Sequence, residues 1–422
     1  MKLILRVLLL LAFALALASA ALAQDRFWLK DGDRVVFYGD SITDQRLYTT
    51  FVETYVVTRF PRLKIRFVHS GVGGDRVTGG WAGPIDVRLP RDVIAYKPTV
   101  MTIMLGMNDA SYRAWDEAIF QTYSTGYQHI IDTMKRALPG IRITVIQPSP
   151  FDDVTRPPSI DGGYNAVLVR YGQFVKELGG REHLLVADLN APVVSMLEKA
   201  KAEDAELAQK IIPDRVHPGP GGHLIMAEAL LKAWNAPATV AAVEIDAAAK
   251  RPVRADNAKV TGLQAGSSLS WSETDSALAL PLPLPLDKDF KDVGLALRSS
   301  DFLEALDQEP LKVTGLTAAR YALTIDGEKV GDFTQEQLQE GIDLATLPTP
   351  MAKQAAKVHD LTLKHNNIHF ARWRDVQISL QDYKLAGEKE VVDALDKLEE
   401  QLVQQQRATA QPKLRHFELT PE

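Results

Sequence analysis

The chain has 422 residues, a formal net charge of −6 at pH 7 and no cysteine. The lack of cysteine excludes disulfides, thiolate zinc sites and cysteine nucleophiles, and the acidic balance lacks the basic patch that nucleic-acid binding usually requires. A nucleic-acid partner is therefore not expected. The length exceeds that of a typical domain, so two domains are expected.

The N-terminal segment has the pattern of a secretory signal peptide over residues 1–23. Lys2 and Arg6 precede an apolar run over residues 7–17, and small residues follow at 18–20 and 21–23. The run is shorter than the roughly 20 residues that a membrane-spanning helix needs. We therefore expect an exported protein, periplasmic or extracellular, with no integral membrane segment after signal removal. Cleavage after Ala20 and cleavage after Ala23 both remain open.

Residues 24–240 are predicted to form an α/β domain. Short β-branched and apolar runs alternate with segments of helical spacing, and such units fold as a parallel sheet with helices on both faces. The five predicted strands cover residues 34–38, 65–68, 100–105, 143–146 and 184–187, and the main predicted helices cover residues 51–60, 118–137, 164–178 and 223–234.

Residues 241–422 are predicted to form a C-terminal α+β region of unassigned role. Pro281, Pro283 and Pro285 stand at alternate positions and indicate an edge strand or an extended linker. Asp326-Gly327 after an alternating run predicts a hairpin. Helices are expected over residues 350–364 and 388–406, the latter packing an apolar stripe of Val391, Leu395, Leu398 and Leu402 on the protein. Residues 407–422 are expected to be loosely held.

Three polar motifs follow the first three predicted strands. They are Gly39-Asp40-Ser41, the glycine-rich run ending at Gly74-Asp75, and Gly106-Met107-Asn108-Asp109. Ligands of an open parallel sheet bind at the carboxyl ends of its strands, so these motifs should meet at one edge. The residue types suit acyl transfer, with Ser41 as nucleophile and an oxyanion hole made by the backbone N–H groups of Ser41 and Gly74 and the side-chain amide of Asn108.

A serine nucleophile needs a base, and histidine is the usual one. Of the nine histidines, only His217 has an acidic residue three positions earlier, Asp214. Residues 218–222 are prolines and glycines, which predicts that the pair lies on a loop. Asp214 would then orient one imidazole nitrogen while the other faces Ser41. An isolated Asp-x-x-His means little, but its occurrence after the three ordered motifs makes coincidence a poor explanation.

These motifs resemble the four blocks of the SGNH superfamily of GDSL esterases and lipases, which centre on Ser, Gly, Asn and His. The matching positions are Ser41, Gly74, Asn108 and His217 with Asp214, within residues 30–236. The resemblance implies a flavodoxin-like three-layer α/β/α sandwich and a catalytic site without metal or cofactor. One departure is His69, where many relatives carry Asn, and a structural role is expected for it.

Two further segments carry weaker signals. His365 and His369 are four residues apart but have no acidic residue between them, so structural or surface roles are expected rather than a metal site. The segment over residues 148–152 follows the fourth strand and is expected to line the substrate pocket.

The predicted function is that of a serine esterase that hydrolyses carboxylic esters through an acyl-serine intermediate. Export suggests a polar substrate, such as O-acetyl groups on extracytoplasmic glycans, so the expected partner is a small-molecule or glycan ester. Lysophospholipase and thioesterase activities remain alternatives within the family. A different class of alternative is a non-catalytic envelope or glycan-binding protein with a vestigial hydrolase domain.

Overall fold

The computed structural model describes residues 27–282, 290–383 and 385–422. The predicted signal peptide over residues 1–23 lies outside the described residues, as do Pro283 and Pro285. Across the described ranges, no helix combines the length and the apolar character that crossing a membrane requires.

The strands are β1 (Arg34–Gly39), β2 (Arg66–Gly71), β3 (Gly79–Gly80), β4 (Gly83–Pro84), β5 (Val100–Met104), β6 (Arg142–Gln147), β7 (Leu185–Asp188), β8 (Ala242–Asp246), β9 (Arg251–Asp256), β10 (Ala258–Ala265), β11 (Leu269–Asp275), β12 (Pro310–Thr314), β13 (Arg320–Ile325), β14 (Glu328–Thr334), β15 (Ile342–Asp343) and β16 (Arg415–Pro421).

The helices are α1 (Ser41–Asp44), α2 (Leu47–Arg59), α3 (Ile85–Asp92), α4 (Glu117–Ala137), α5 (Tyr164–Glu182), α6 (Ala191–Glu203), α7 (Ala205–Ile211), α8 (Pro220–Ala233), α9 (Lys291–Arg298), α10 (Phe302–Leu306), α11 (Gln335–Glu340), α12 (Pro350–Phe370) and α13 (Glu388–Thr409). A π-helical segment, Ala371–Ile378, continues α12.

The first part of the chain contains the predicted parallel sheet. Its strand order is β2-β1-β5-β6-β7, and every pairing is parallel. This is the flavodoxin-like order, which confirms the predicted α/β/α fold and all five predicted strands. Gly39 at the end of β1 pairs with Gly71 on β2 and with Met104 on β5. The three polar motifs therefore leave adjacent strands at the same edge.

Two of these strand ends must be glycine because helix α1 packs directly against them. A Cβ on Gly39 would lie 2.2 Å from the Thr43 hydroxyl oxygen, and one on Gly71 would lie 2.3 Å from the backbone nitrogen of Asp44. Neither contact is sterically possible. The glycines therefore allow the short helix that begins at Ser41 to sit on the carboxyl ends of β1 and β2.

Several predicted helix ends differ from the structure by a few residues, and two of these differences have a structural cause. Helix α8 begins at Pro220 and includes Gly221 and Gly222, because proline is favourable in the first turn of a helix. Only the residues before Pro220 form the expected loop. Helix α12 continues past the predicted end at residue 364 to Phe370, since the Asn366 side chain bonds the Thr50 hydroxyl across the interface with α2.

The C-terminal region forms two further sheets, β10-β11-β16-β13-β14 and β15-β12-β8-β9. The predicted hairpin is confirmed as β13 and β14, with Asp326 and Gly327 both at positive φ. The expectation of a loosely held end is wrong, because β16 occupies the centre of its sheet between β11 and β13. Its Phe417 and Leu419 are fully buried.

The C-terminal helices also pack on the first part of the chain. Helices α9 and α10 contribute to the core that includes α8, and α12 packs against α2 and β2. The predicted apolar stripe of α13 is wrong in two places, because Val391 and Leu398 are each 48% exposed. The buried side of α13 carries polar groups instead, including Gln406.

Candidate active site

Ser41 lies at the junction between β1 and α1, where its side chain is half-buried. The carboxylate of Asp40 caps this helix by accepting a hydrogen bond from the backbone N–H of Ile42 at 3.1 Å. The serine hydroxyl therefore stands at a sharp strand-to-helix turn on the edge of the sheet where ligands of such folds bind.

His217 connects Ser41 to Asp214. Its Nε2 lies 2.8 Å from the Ser41 Oγ, and its Nδ1 lies 2.7 Å from Oδ2 of Asp214. The other carboxylate oxygen of Asp214 accepts the backbone N–H groups of Val216 and His217. Burial of the carboxyl opposes its ionisation, but these hydrogen bonds hold the Asp214 pKa below its usual value. An ionised Asp214 can orient the imidazole so that Nε2 accepts a proton from the hydroxyl.

The segment over residues 148–152, which was expected to line the substrate pocket, contacts the loop that carries Asp214. All five of its residues are buried. The backbone N–H of Asp152 donates to the carbonyl of Arg215 at 2.9 Å, and the Asp152 carboxylate binds Arg156. Arg156 in turn donates to the carbonyls of Ile212 and Pro213. The segment therefore fixes the loop that carries Asp214.

Gly74 requires glycine for its conformation. Its φ of +76° lies in the left-handed region, whereas a Cβ built on it would meet nothing within 4 Å. The predicted reason for a glycine, a sharp turn of the backbone, is therefore confirmed. The neighbouring Gly73 donates its backbone N–H to Oδ2 of Asp44 on α1 at 3.1 Å, which ties the glycine-rich loop to the helix that begins at Ser41.

The amide of Asn108 is held from two sides. Its Nδ2 donates to the carbonyl of Asp75 at 3.2 Å, and its Oδ1 accepts the hydroxyl of Tyr112 at 3.1 Å. An amide nitrogen carries two hydrogens, so one N–H of Asn108 remains available for a ligand. Tyr112 was missed in the sequence because no motif marks it. Its φ of 53° is uncommon for a bulky residue and fits a position held for function.

Three buried carboxyls lie beneath the site. Burial raises the pKa of Asp40 and of Asp109 to about 7. Repulsion from neighbouring carboxylates adds to this increase, and backbone hydrogen bonds oppose it. Burial likewise raises the pKa of Asp75 to about 6, although Arg88 contacts it at 2.9 Å. Partial protonation near neutral pH lowers the negative charge behind the site, which favours an anion in front of it.

The histidines outside the motifs have structural contacts. His69 is buried between the Thr49 hydroxyl and Glu53, which confirms its predicted role. His365 and His369 are also buried and face Glu399 from α13. In the described part of the chain, no group of three or more metal-binding side chains is placed to hold an ion.

Comparison with known proteins agrees with this architecture. Residues 37–225 match the family model described as the GDSL-like lipase/acylhydrolase family. The chain is 28% identical over 223 residues to an acetylxylan esterase of Geobacillus stearothermophilus, covering 48% of this chain and 93% of that protein. A solved structure of a gut microbial diltiazem-metabolizing enzyme superposes with a TM-score of 0.80 at 27% identity, covering 93% of this chain and 98% of that one.

The similarity to the diltiazem-metabolizing enzyme extends through the C-terminal sheets and helices, whereas the similarity to the acetylxylan esterase is confined to about half of the chain. Residues 37–225 thus match the GDSL-like lipase/acylhydrolase family, and the protein is a carboxylic ester hydrolase.

Proposed function

We propose that the hydrolase acts through a covalent acyl-Ser41 intermediate and removes O-acetyl groups from glycans outside the cytoplasm. The observation that carries the mechanism is the continuous hydrogen-bonded chain from Ser41 through His217 to Asp214, with distances of 2.8 and 2.7 Å. The 2.8 Å contact lies within the range in which a base accepts a proton from a nucleophile, and the 2.7 Å contact is the hydrogen bond that orients the base.

In the proposed first step, Ser41 Oγ attacks the ester carbonyl carbon while His217 Nε2 takes the hydroxyl proton. The oxyanion is stabilised by the backbone N–H groups of Ser41 and Gly74 and by the free N–H of Asn108. Its collapse breaks the carbon–oxygen bond to the alcohol, which leaves with the proton from His217. Water then attacks the acyl-enzyme and gives its proton to His217. The acid is released when that proton returns to Ser41.

The proposal of an acetyl ester on a glycan rests on two supports. The related Geobacillus stearothermophilus protein is an acetylxylan esterase, and the N-terminal segment predicts export. Because the name of that relative specifies an acetyl ester, the preference of this hydrolase should lie in the acyl group.

The test is an ester panel assayed with the wild type and Ser41→Ala. The panel contains p-nitrophenyl acetate, p-nitrophenyl octanoate, acetylated xylo-oligosaccharide, diltiazem, a lysophospholipid and an acyl thioester. We expect the acetyl esters to be cleaved fastest, with activity lost in Ser41→Ala but kept in a control, Ser195→Ala, on the exposed side of α6. Equal rates for wild type and Ser41→Ala on every ester contradict the mechanism. Faster cleavage of octanoate or lysophospholipid contradicts the acetyl preference.

Asn108→Ala is expected to lower kcat by about 10²- to 10³-fold with little change in KM, because the amide acts on the oxyanion rather than on the bound ester. Tyr112→Phe should lower kcat less, since it keeps the amide and removes only the hydrogen bond to its oxygen. Steady-state kinetics on p-nitrophenyl acetate measures both. A rise in KM at unchanged kcat for Asn108→Ala would place the amide in substrate binding instead.

A further inference from the structure

A side chain from the far end of the chain reaches the glycine-rich loop of the active site. Arg374, in the π-helical segment, binds Oδ2 of Asp44 through its Nη2 at 2.8 Å. The same carboxylate oxygen accepts the backbone N–H of Gly73. The guanidinium also stacks on the Trp81 ring, 4.5 Å from its centroid. Arg374 therefore contacts two separate side chains that both hold Gly73.

Trp81 holds the opposite side of Gly73. Its indole Nε1–H donates to the Gly73 carbonyl at 2.9 Å, although the residue is 62% exposed. The short β3-β4 hairpin, whose Gly79 and Gly80 pair with Pro84 and Gly83, places the indole over the loop. An exposed tryptophan kept in one orientation by a hydrogen bond and a stacked cation has a defined position despite its exposure.

The Gly73 carbonyl and the Gly74 N–H belong to one planar peptide unit. In a trans peptide these two groups point in opposite directions, so an anchor on the carbonyl also fixes the direction of the N–H. A peptide between two glycines rotates more easily than any other because neither residue has a Cβ. The bond from Trp81 therefore selects one of the orientations that this peptide could adopt.

We propose that Trp81 and Arg374 are positioning residues that fix the Gly73–Gly74 peptide so that the Gly74 N–H can receive the oxyanion. The inference rests on the proposed function, since it takes Gly74 as an oxyanion donor. Arg374 acts on both anchors because it pairs with Asp44 and supports Trp81. The C-terminal region is then part of the catalytic apparatus, through one guanidinium, rather than an appended domain.

The test compares two variants of the full chain with two matched controls. Trp81→Phe keeps a ring over Arg374 but removes the indole donor, and Arg374→Met removes the guanidinium. Trp115→Phe is the first control, because Trp115 also donates its indole N–H, to Glu117 on α4, and also stacks on an arginine, Arg170 on α5, but away from the glycine-rich loop. Arg372→Met is the second, because Arg372 is as buried as Arg374, at 14% exposure, but pairs with Asp396.

We expect kcat for p-nitrophenyl acetate to fall by about 10- to 100-fold in both test variants, with KM changed less than about two-fold. Affinity for phenylboronic acid, which forms a tetrahedral adduct with a nucleophilic serine, should fall by a similar factor. Both controls should retain the wild-type values. If Arg374→Met does not fold, Trp81→Phe carries the test alone.

Unchanged kcat in Trp81→Phe overturns the inference, as does a fall in kcat without a fall in boronate affinity. A rise in KM alone also overturns it, because that would assign the pair to substrate binding. These outcomes are distinct from failure of the proposed function, which is equal activity of wild type and Ser41→Ala.

Discussion

Replacing His217 with alanine is expected to lower kcat about a million-fold, as large a loss as replacing Ser41. Without the imidazole, the hydroxyl keeps its proton during attack and the departing alcohol has no acid to protonate it. Because the two residues act as one unit, the double variant Ser41→Ala/His217→Ala should be no slower than either single variant.

Asp214→Asn is expected to cost less, about a thousand-fold in kcat. An asparagine can present its N–H to the imidazole and favour the wrong tautomer, but the Asp214 side chain is 54% exposed. Water therefore already weakens its interaction with the imidazolium relative to a buried partner.

His129→Ala provides the matched control for these variants. His129 also pairs with an aspartate, Asp86, at 2.6 Å, and the two side chains are 44% and 72% exposed. It lies on α4, outside the site, and its loss should leave kcat unchanged. Steady-state kinetics on p-nitrophenyl acetate measures all four variants. Multiplicative losses in the double variant, or a His217→Ala variant within ten-fold of wild type, would contradict the assigned roles.

The parallel sheet and the residues at its edge could be predicted because their signals are local. Each buried strand is a short apolar run, and each motif directly follows a strand. Parallel strands present their carboxyl ends together, so the order along the chain was enough to bring Ser41, Gly74 and Asn108 to one edge. The proximity of His217 to Ser41 could be predicted only from chemistry, because a serine nucleophile needs a nearby base.

The C-terminal region was harder to predict because its signals are not local. Strand β16 has only two buried residues, Phe417 and Leu419, and its neighbours β11 and β13 lie far away in the sequence. Such a short alternating pattern cannot be distinguished from the pattern of a loop until the neighbouring strands are known. The expectation of a loose end therefore failed for lack of local information.

Arg374 and Trp81 were missed for the same reason. The contact of Arg374 with Asp44 joins residues 330 positions apart, and neither residue belongs to a motif. Similarly, the polar buried side of α13 could not be recognised because its partner, Glu53, lies on α2 in the first part of the chain. An apolar stripe is the usual sign of a packed helix face, and here hydrogen-bonded polar groups occupy that position.

Glu53 links the first part of the chain to both C-terminal helices. Its Oε1 lies 2.6 Å from His365 Nε2 on α12 and accepts Gln406 Nε2 on α13 at 3.1 Å. The carboxylate is 2% exposed. Burial opposes a charge on His365, but Glu53 and Glu399 outweigh it and raise the His365 pKa to about 9. Burial also opposes ionisation of Glu53, yet its histidine partners hold the Glu53 pKa well below its usual value. The pair is therefore ionised at neutral pH.

Glu53→Gln is expected to lower the free energy of unfolding by up to about 3 kcal/mol near pH 6.5, because Glu53, together with Glu399, raises the His365 pKa from 6.5 to about 9 and the full shift corresponds to that energy. The pKa of His365 is raised in the folded state, so its contribution is fully present below pH 6.5 and is lost as the pH rises through 9. His69, whose pKa burial lowers to about 4, stays neutral in the folded protein across this window. The difference between wild type and variant should therefore shrink between pH 6.5 and 9.5.

Urea denaturation at pH 6.5, 8.0 and 9.5 measures this difference. Asp86→Asn is the matched control, since it breaks the exposed pair with His129 and should change stability little at any of these pH values. A difference between wild type and Glu53→Gln that stays constant up to pH 9.5 would show that a charged His365 does not hold the helices. If the loss of stability relative to wild type declines with rising pH for Glu53→Gln but not for Asp86→Asn, the pH dependence belongs to the buried pair. The C-terminal helices that carry Arg374 to the active site would then depend on it for their docking.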